Sequence, residues 1–164
     1  MPIKVGERIP EVVLKRLKDG IESVDTPTLF AGRKVVLFGV PGAFTPTCSA
    51  KHLPGYVEHF DDFRRRGIEV YCTSVNDPFV MQAWGRNQMT PDGLQLLPDG
   101  NGDLARALGL ELDASGSGMG MRSRRFALYA EDGVVQALFV EEPGDFSISA
   151  ADHVLQHLPE PLPT

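Results

Sequence analysis

The apolar positions form one continuous run and several periodic ones, and each pattern predicts an element. Val35 to Phe38, then Gly39 and Val40, is unbroken, the pattern of a central strand covered on both faces. It begins near Lys34 and stops at Pro41-Gly42, with Pro46 just beyond, so the strand empties into a turn. After it, Leu53, Val57, Phe60 and Phe63 recur at helical spacing as far as Gly67, and Pro54-Gly55 is expected to kink this helix in its second turn. Ile68 to Val75 alternates as a second strand, so residues 35 to 75 read as a parallel βαβ unit with a right-handed crossover.

The flanking segments are shorter. Val12, Val13, Leu14 and Leu17 precede a turn at Asp19-Gly20 and Ile21 to Val24 follow it, which predicts two N-terminal strands. Thr26-Pro27 opens a brief helical turn closed by Gly32. Asn76-Asp77-Pro78 is a cap followed by a proline at the first helical position; the helix it starts is expected to carry Phe79, Val80, Ala83 and Trp84 on one side and to end at Pro91-Asp92-Gly93. A short strand over Leu94 to Leu97 and a helix over Asp103 to Leu108 come next. Residues 113–120, with alternate glycines, read as a flexible loop. Arg124 to Ala130 and Val134 to Val140 form a hairpin about Glu131-Asp132-Gly133, and Ser149 to Asp152 is a capping sequence for a last helix bearing Val154, Leu155 and Leu158.

Composition narrows the function classes. With 22 acidic and 16 basic side chains the net charge is −6, which argues against general affinity for nucleic acid or for an anionic membrane surface. No apolar run approaches membrane-spanning length, and Met1-Pro2-Ile3-Lys4 shows no charged-then-apolar leader, so a soluble cytoplasmic protein is expected. The 164 residues suit a single domain over 1–164. Two cysteines at unrelated positions, Cys48 and Cys72, make neither a disulfide framework nor a zinc site, and a reducing compartment fits them.

Cys48 is the candidate for chemistry. Thr45 or Thr47 can cap the segment after the turn and Pro46 suits its start, which places Cys48 in the opening turn of a helix. Unpaired N–H groups and the helix dipole favour a thiolate there, and the Thr45 hydroxyl, three residues earlier, can approach the sulfur. Pro41 would wall the site. A buried structural thiol is the plain alternative, but it would not need the strand, breaker and cap around it.

The spacing Pro41-x-x-x-Thr45-x-x-Cys48 resembles the active-site signature of the peroxiredoxins, and Pro-Gly-Ala-Phe-Thr-Pro-Thr-Cys-Ser (41–49) is similar to their peroxiredoxin-5, or type II, group. The likeness extends to Val-Asn-Asp-Pro-Phe (75–79) and Arg-Ser-Arg-Arg-Phe (122–126). It implies an α/β thioredoxin-like fold with an N-terminal strand extension and a helical insertion, which agrees with the order of elements above. It implies a thiol peroxidase with no cofactor and no metal, reducing hydrogen peroxide and alkyl hydroperoxides as Cys48 becomes a sulfenic acid.

Such a reaction needs a permanent cation by the sulfur. Arg122, Arg124 and Arg125 are available, and strand parity cannot choose among them; the resemblance selects Arg125, the one before Phe126. No cysteine lies in Phe146-Ser147-Ile148-Ser149, and Cys72 falls mid-strand, so a one-cysteine cycle is expected with an external thiol restoring Cys48. The resemblance points to glutathione with glutaredoxin, and to thioredoxin as second choice. It also implies a homodimer, with Phe44 and Phe79 expected at the interface. A redox sensor or holdase that oxidises without turnover is the competing class. His52, four residues after Cys48, raises a cysteine hydrolase reading, but no Asn or Asp orienter matches it.

Overall fold

The computed structural model describes residues 2–158; Met1 and 159–164 of the expected domain and of the leader reading lie outside the described residues. An antiparallel hairpin, β1 (Val13–Leu17) and β2 (Ile21–Asp25), comes first, as the alternation predicts. α1 runs Thr26–Phe30, the turn that Thr26-Pro27 predicts, and Asp25 caps it, its side chain accepting from the Thr28 N–H. Next come β3 (Lys34–Val40), a wide π turn (Cys48–His52), α2 (Leu53–Glu58), α3 (Phe60–Arg65) and β4 (Ile68–Ser74). The chain continues with α4 (Pro78–Asn87), β5 (Gln95–Pro98), α5 (Asp103–Leu108) and the short strands β6 (Glu111–Asp113) and β7 (Met121–Ser123). β8 (Phe126–Glu131), β9 (Val134–Val140) and α6 (Ala151–Gln156) complete it.

The main sheet has the order β5-β4-β3-β8-β9. β3 lies at its centre, parallel to β4 and antiparallel to β8. Its unbroken apolar run has a physical reason in two cores. Val36, Phe38 and Val40 face one of them, with Tyr56, Phe63, Met81, Trp84 and Val154. Val35 and Leu37 face the other, with Leu29, Phe30, Leu104 and Leu108. Helices on both faces, β4–α4–β5–α5 as a helical insertion and the hairpin in front make this the thioredoxin-like arrangement. Among the described residues no helix is long and apolar enough to cross a membrane.

Several local expectations need correction. The helix after Cys48 is not one amphipathic run kinked inside at Pro54-Gly55. Its irregular stretch precedes Pro54, where the Leu53 N–H reaches back to the Cys48 carbonyl. Pro54 has no N–H to offer the Ala50 carbonyl and its ring crowds that position, so a wider turn is favoured. A second break falls at His59. In α4 the buried side is Met81, Trp84 and Gly85, while Phe79 is 62 % exposed and Ala83 is exposed. A Cβ on Gly85 would fall 2.7 Å from Leu96 Cδ1, so this helix meets β5 through its glycine, which sets its rotation. Residues 113–120 are not a free loop: β6 and β7 pair antiparallel around them, with a 3₁₀ turn at Ser115–Ser117. Ser149 does not cap α6, which starts from Ala150 without a side-chain cap; Ser149 is buried and donates to Glu141.

Gly39 is the tightest point of the central strand, since a Cβ there would lie 2.1 Å from Phe126 Cε1. Gly39→Ala is expected to destabilise the protein by about 1–3 kcal/mol, the usual cost of overpacking, read as a lower midpoint in urea at unchanged slope. Phe126 directly follows Arg125, so the same variant should also disturb the site described next.

Candidate functional site

The site grows from the C-terminal end of β3. The turn that follows is held by its own carbonyl and by a neighbour: Gly42 O accepts from Thr45 N at 3.3 Å and from Thr45 Oγ1 at 2.6 Å, and Ala43 N donates to Asn76 Oδ1 at 2.9 Å. Neither threonine caps the helix through its side chain. Thr47 has helical backbone angles and no capping bond, and the Thr45 hydroxyl proton goes to Gly42, leaving its lone pairs as acceptors. Cys48 follows, fully buried, at the start of the π turn. Trp84 Nε1 donates to Ser49 Oγ at 2.9 Å, which ties this turn to α4.

Of the three candidate arginines, one reaches the sulfur. Arg122 donates to the carbonyls of Met119 and Val75, and Arg124 to that of Glu141. Arg125 Nη2 donates to Cys48 Sγ at 3.2 Å. It lies just before β8, on the face that carries Ala127 and Tyr129 into the core shared with Cys48. Its other arm, Nη1, donates to His52 Nδ1 at 2.9 Å, and its guanidinium carbon stands 5.8 Å from the centre of the Phe146 ring.

His52 is buried. Its Nε2–H donates to Ser149 O at 3.2 Å, a carbonyl that also accepts from the Tyr56 hydroxyl at 2.7 Å. The imidazole is therefore neutral, with its proton on Nε2; burial, reinforced by the Arg125 charge and opposed by the Ser149 bond, drives its pKa down to about 3. Both ring nitrogens are engaged away from the sulfur, so His52 does not serve Cys48 as a hydrolase-type base. The Ser149 segment is fixed in turn by Glu141 Oε2, which accepts from Ser147 N at 2.6 Å, Ser149 N at 2.9 Å and Ser149 Oγ at 2.7 Å. Burial raises the Glu141 pKa, but the hydrogen bonds from Ser149, Ser147 and Ile148 outweigh it and the carboxyl titrates below its usual value.

Both cysteines are free and buried. Cys72 sits in β4 opposite Phe38, and burial, with Cys48 nearby adding to it, pushes its thiol well above the ordinary value. Pro41 and Arg125 help to line a small cavity of about 150 Å³ together with Thr47, Leu112 and Pro143. A larger hollow of about 570 Å³ lies between α4 and β5, lined by Arg16, Met81, Arg86 and Met89 but by neither Cys48 nor Arg125.

Sequence reasoning placed Cys48, Thr45, Pro41 and Arg125 in one region, and the structure joins Cys48 to Arg125 directly while Thr45 bonds to Gly42. It did not find the supports of Arg125. His52 had a signal, its spacing from Cys48; Phe146 and Glu141 had none, because they reach the site only through packing.

A family-wide sequence profile described as Redoxin matches residues 4–155. The chain is 45% identical over 160 residues to peroxiredoxin-2B of Arabidopsis thaliana, an alignment covering 96% of this chain and 99% of the relative. Reduced Prx3 of Vibrio vulnificus, solved in complex with hydrogen peroxide, superposes with a TM-score of 0.90 at 44% identity, covering 94% of this chain and 98% of the other. Peroxiredoxin 5 of Alvinella pompejana gives a TM-score of 0.83 at 36% identity, covering 94% of this chain and 97% of the other.

Proposed function

From the premise that the chain belongs to the Redoxin family as a peroxiredoxin of the type II, peroxiredoxin-5-like group, we propose how this thiol peroxidase works and what restores it. The Cys48 thiolate attacks one peroxide oxygen; an S–O bond forms, the O–O bond breaks, and the other oxygen leaves with its electron pair, to be protonated to water or an alcohol. Cys48 is left as a sulfenic acid. Arg125 favours the negative sulfur beforehand and shares its donors with the oxygens as charge moves onto them. The Thr45 oxygen accepts the hydrogen bond of the incoming hydroperoxide, since its own proton is committed to Gly42. Pro41 walls the approach. The observation that carries this reading is the 3.2 Å contact of Arg125 Nη2 with Cys48 Sγ. Hydrogen peroxide and alkyl hydroperoxides are the proposed substrates.

Regeneration is a one-cysteine cycle. Cys72 is buried in a central strand and its thiol is held protonated by its surroundings, so an external thiol is the proposed resolver, glutathione with glutaredoxin first and thioredoxin second. Cys72→Ser is expected to keep near-wild-type turnover; its loss would make Cys72 the resolver. Stopped-flow oxidation of the reduced protein by hydrogen peroxide, followed by steady-state turnover with each donor system, tests the whole reading. Fast oxidation with no turnover by any donor would favour the redox sensor or holdase, a reading supported by the full burial of Cys48.

The working unit is proposed to be a homodimer with Phe44 and Phe79 at its interface. Phe44 is 52 % and Phe79 62 % exposed, and the Ala43–Asn76 bond ties their segments together. Sedimentation showing only monomer would remove this part. A reducing, cytoplasmic location is proposed from cysteine usage, since Cys48 and Cys72 stand at unrelated positions that make no disulfide framework.

A further inference from the structure

We infer that the hollow of about 570 Å³ between α4 and β5 is a binding site for a small amphipathic anion, a carboxylate carrying an apolar tail of medium length. This goes beyond the thiol chemistry and does not rest on it, since neither Cys48 nor Arg125 lines the hollow.

Arg16, Lys18 and Arg86 all line it and no Asp or Glu does, although the chain as a whole has a net charge of −6. Cations gathered around a concavity on an acidic protein repel one another and draw an anion into it. Lys18 and Arg86 are exposed and take part in no ion pair among the described residues, so both charges are open to a ligand. Arg16 is held in place instead. Its Nε donates to Glu22 Oε1 at 2.8 Å and its Nη1 to Gln95 Oε1 at 3.1 Å, which fixes the guanidinium between β2 and β5 and leaves Nη2 for a further acceptor. A planar donor already oriented in this way suits a carboxylate head.

The rest of the lining describes what is attached to that head. Leu17, Met81, Met89 and Leu96 are apolar, with Pro78 and Pro98 beside them. Gly85 also lines the hollow; a Cβ there would fall 2.7 Å from Leu96 Cδ1, so helix and strand meet closely and share one apolar surface. Met89 is 82 % exposed and has φ +52°, a left-handed conformation that a residue with a Cβ seldom adopts. Its N–H donates to Arg86 O at 3.2 Å and the Thr90 N–H to Gly85 O at 3.1 Å, and these bonds hold the turn in that conformation. An unbranched thioether left in water beside cations is a side chain that an alkyl tail would cover. The volume lies within the range of small-molecule sites. A bare inorganic anion would leave the apolar lining in water, and a plain hydrocarbon would leave the cations unanswered; an amphipathic anion satisfies both.

The test titrates octanoate, octylamine, octan-1-ol and acetate into the reduced full chain. Binding is read by calorimetry and by the emission of Trp84, the single tryptophan, which is buried and precedes Gly85 in α4. Octanoate is expected to bind saturably, one per chain, and about 10-fold or more tightly than the other three, because only it offers both a tail and charge-assisted acceptors. Lys18→Gln combined with Arg86→Gln should weaken octanoate about 3- to 10-fold, the effect of two exposed charges, while Lys18→Arg with Arg86→Lys should keep wild-type affinity. Added salt should weaken binding to the wild type more than to the neutral pair. All these substitutions are at exposed positions outside the peroxide site, so single-turnover oxidation by hydrogen peroxide should be unchanged and shows that each variant is folded. No saturable binding at millimolar octanoate, equal affinity for octylamine or octan-1-ol, or undiminished affinity in the neutral pair would overturn the proposal. Octanoate that slows iodoacetamide alkylation of Cys48 in the neutral pair as strongly as in the wild type would place the ligand in the cavity beside Arg125, and would overturn it too.

Discussion

Cys48→Ser is expected to abolish peroxide reduction and to leave the fold intact. A serine hydroxyl is not ionised at neutral pH and a neutral oxygen does not attack the O–O bond, so the single electron pair on which the reaction depends is lost. Cys48 is fully buried and makes its hydrogen bond with Arg125; a smaller hydroxyl occupies that position without displacing Val40, Leu53 or Tyr56 in the same core. Peroxide consumption should fall to the uncatalysed rate while circular dichroism and the unfolding midpoint stay close to wild type. Residual turnover above background in a folded variant would remove Cys48 from the mechanism.

The next largest effect is expected for Arg125→Ala, which should slow oxidation by about 10²- to 10³-fold, the cost of deleting one pre-aimed donor from a charge-stabilising site. The ground state suffers because the sulfur loses its cation, and the transition state suffers because no fork remains to follow charge onto the leaving oxygen. Arg125→Lys restores the charge but has no planar pair of arms to serve Cys48 and His52 together, so it should recover only part of the loss. Removing the guanidinium also leaves the buried His52 Nδ1 without its donor, with a stability cost of about 1–3 kcal/mol. Single-turnover rates and urea midpoints on the same samples separate the two effects. A rate within a few-fold of wild type would mean that the Arg125 contact with sulfur is structural.

The experiments on Gly39 and Cys72 probe different levels of the same design. Gly39 lets Phe126 lie against the central strand, and Phe126 delivers Arg125 to the site; Cys72 shares the core with Cys48 but sits in the middle of β4. One change should unsettle geometry and the other should not.

The main elements were legible because their causes are local. The unbroken run at Val35 to Phe38, the breakers Pro41 and Gly42, and the cap Asp77 before Pro78 each act on residues a few positions away, and the observed β3, turn and α4 follow them. The misreadings share one cause. The rotation of α4 depends on Gly85 meeting Leu96, and the partner of Ser149 is Glu141 rather than its own helix; both are contacts between elements that compete with local preference and win.

By itself the sequence determined the thioredoxin-like order of strands and helices, the location of Cys48 just beyond the central strand, and the family signature around it. Only the tertiary structure decided which arginine meets the sulfur through its own geometry, and that His52, Phe146, Ser149 and Glu141 support it. Propensity and periodicity describe neighbours along the chain, whereas Cys48 and Arg125 are 77 positions apart and become neighbours only when β3 and β8 pair.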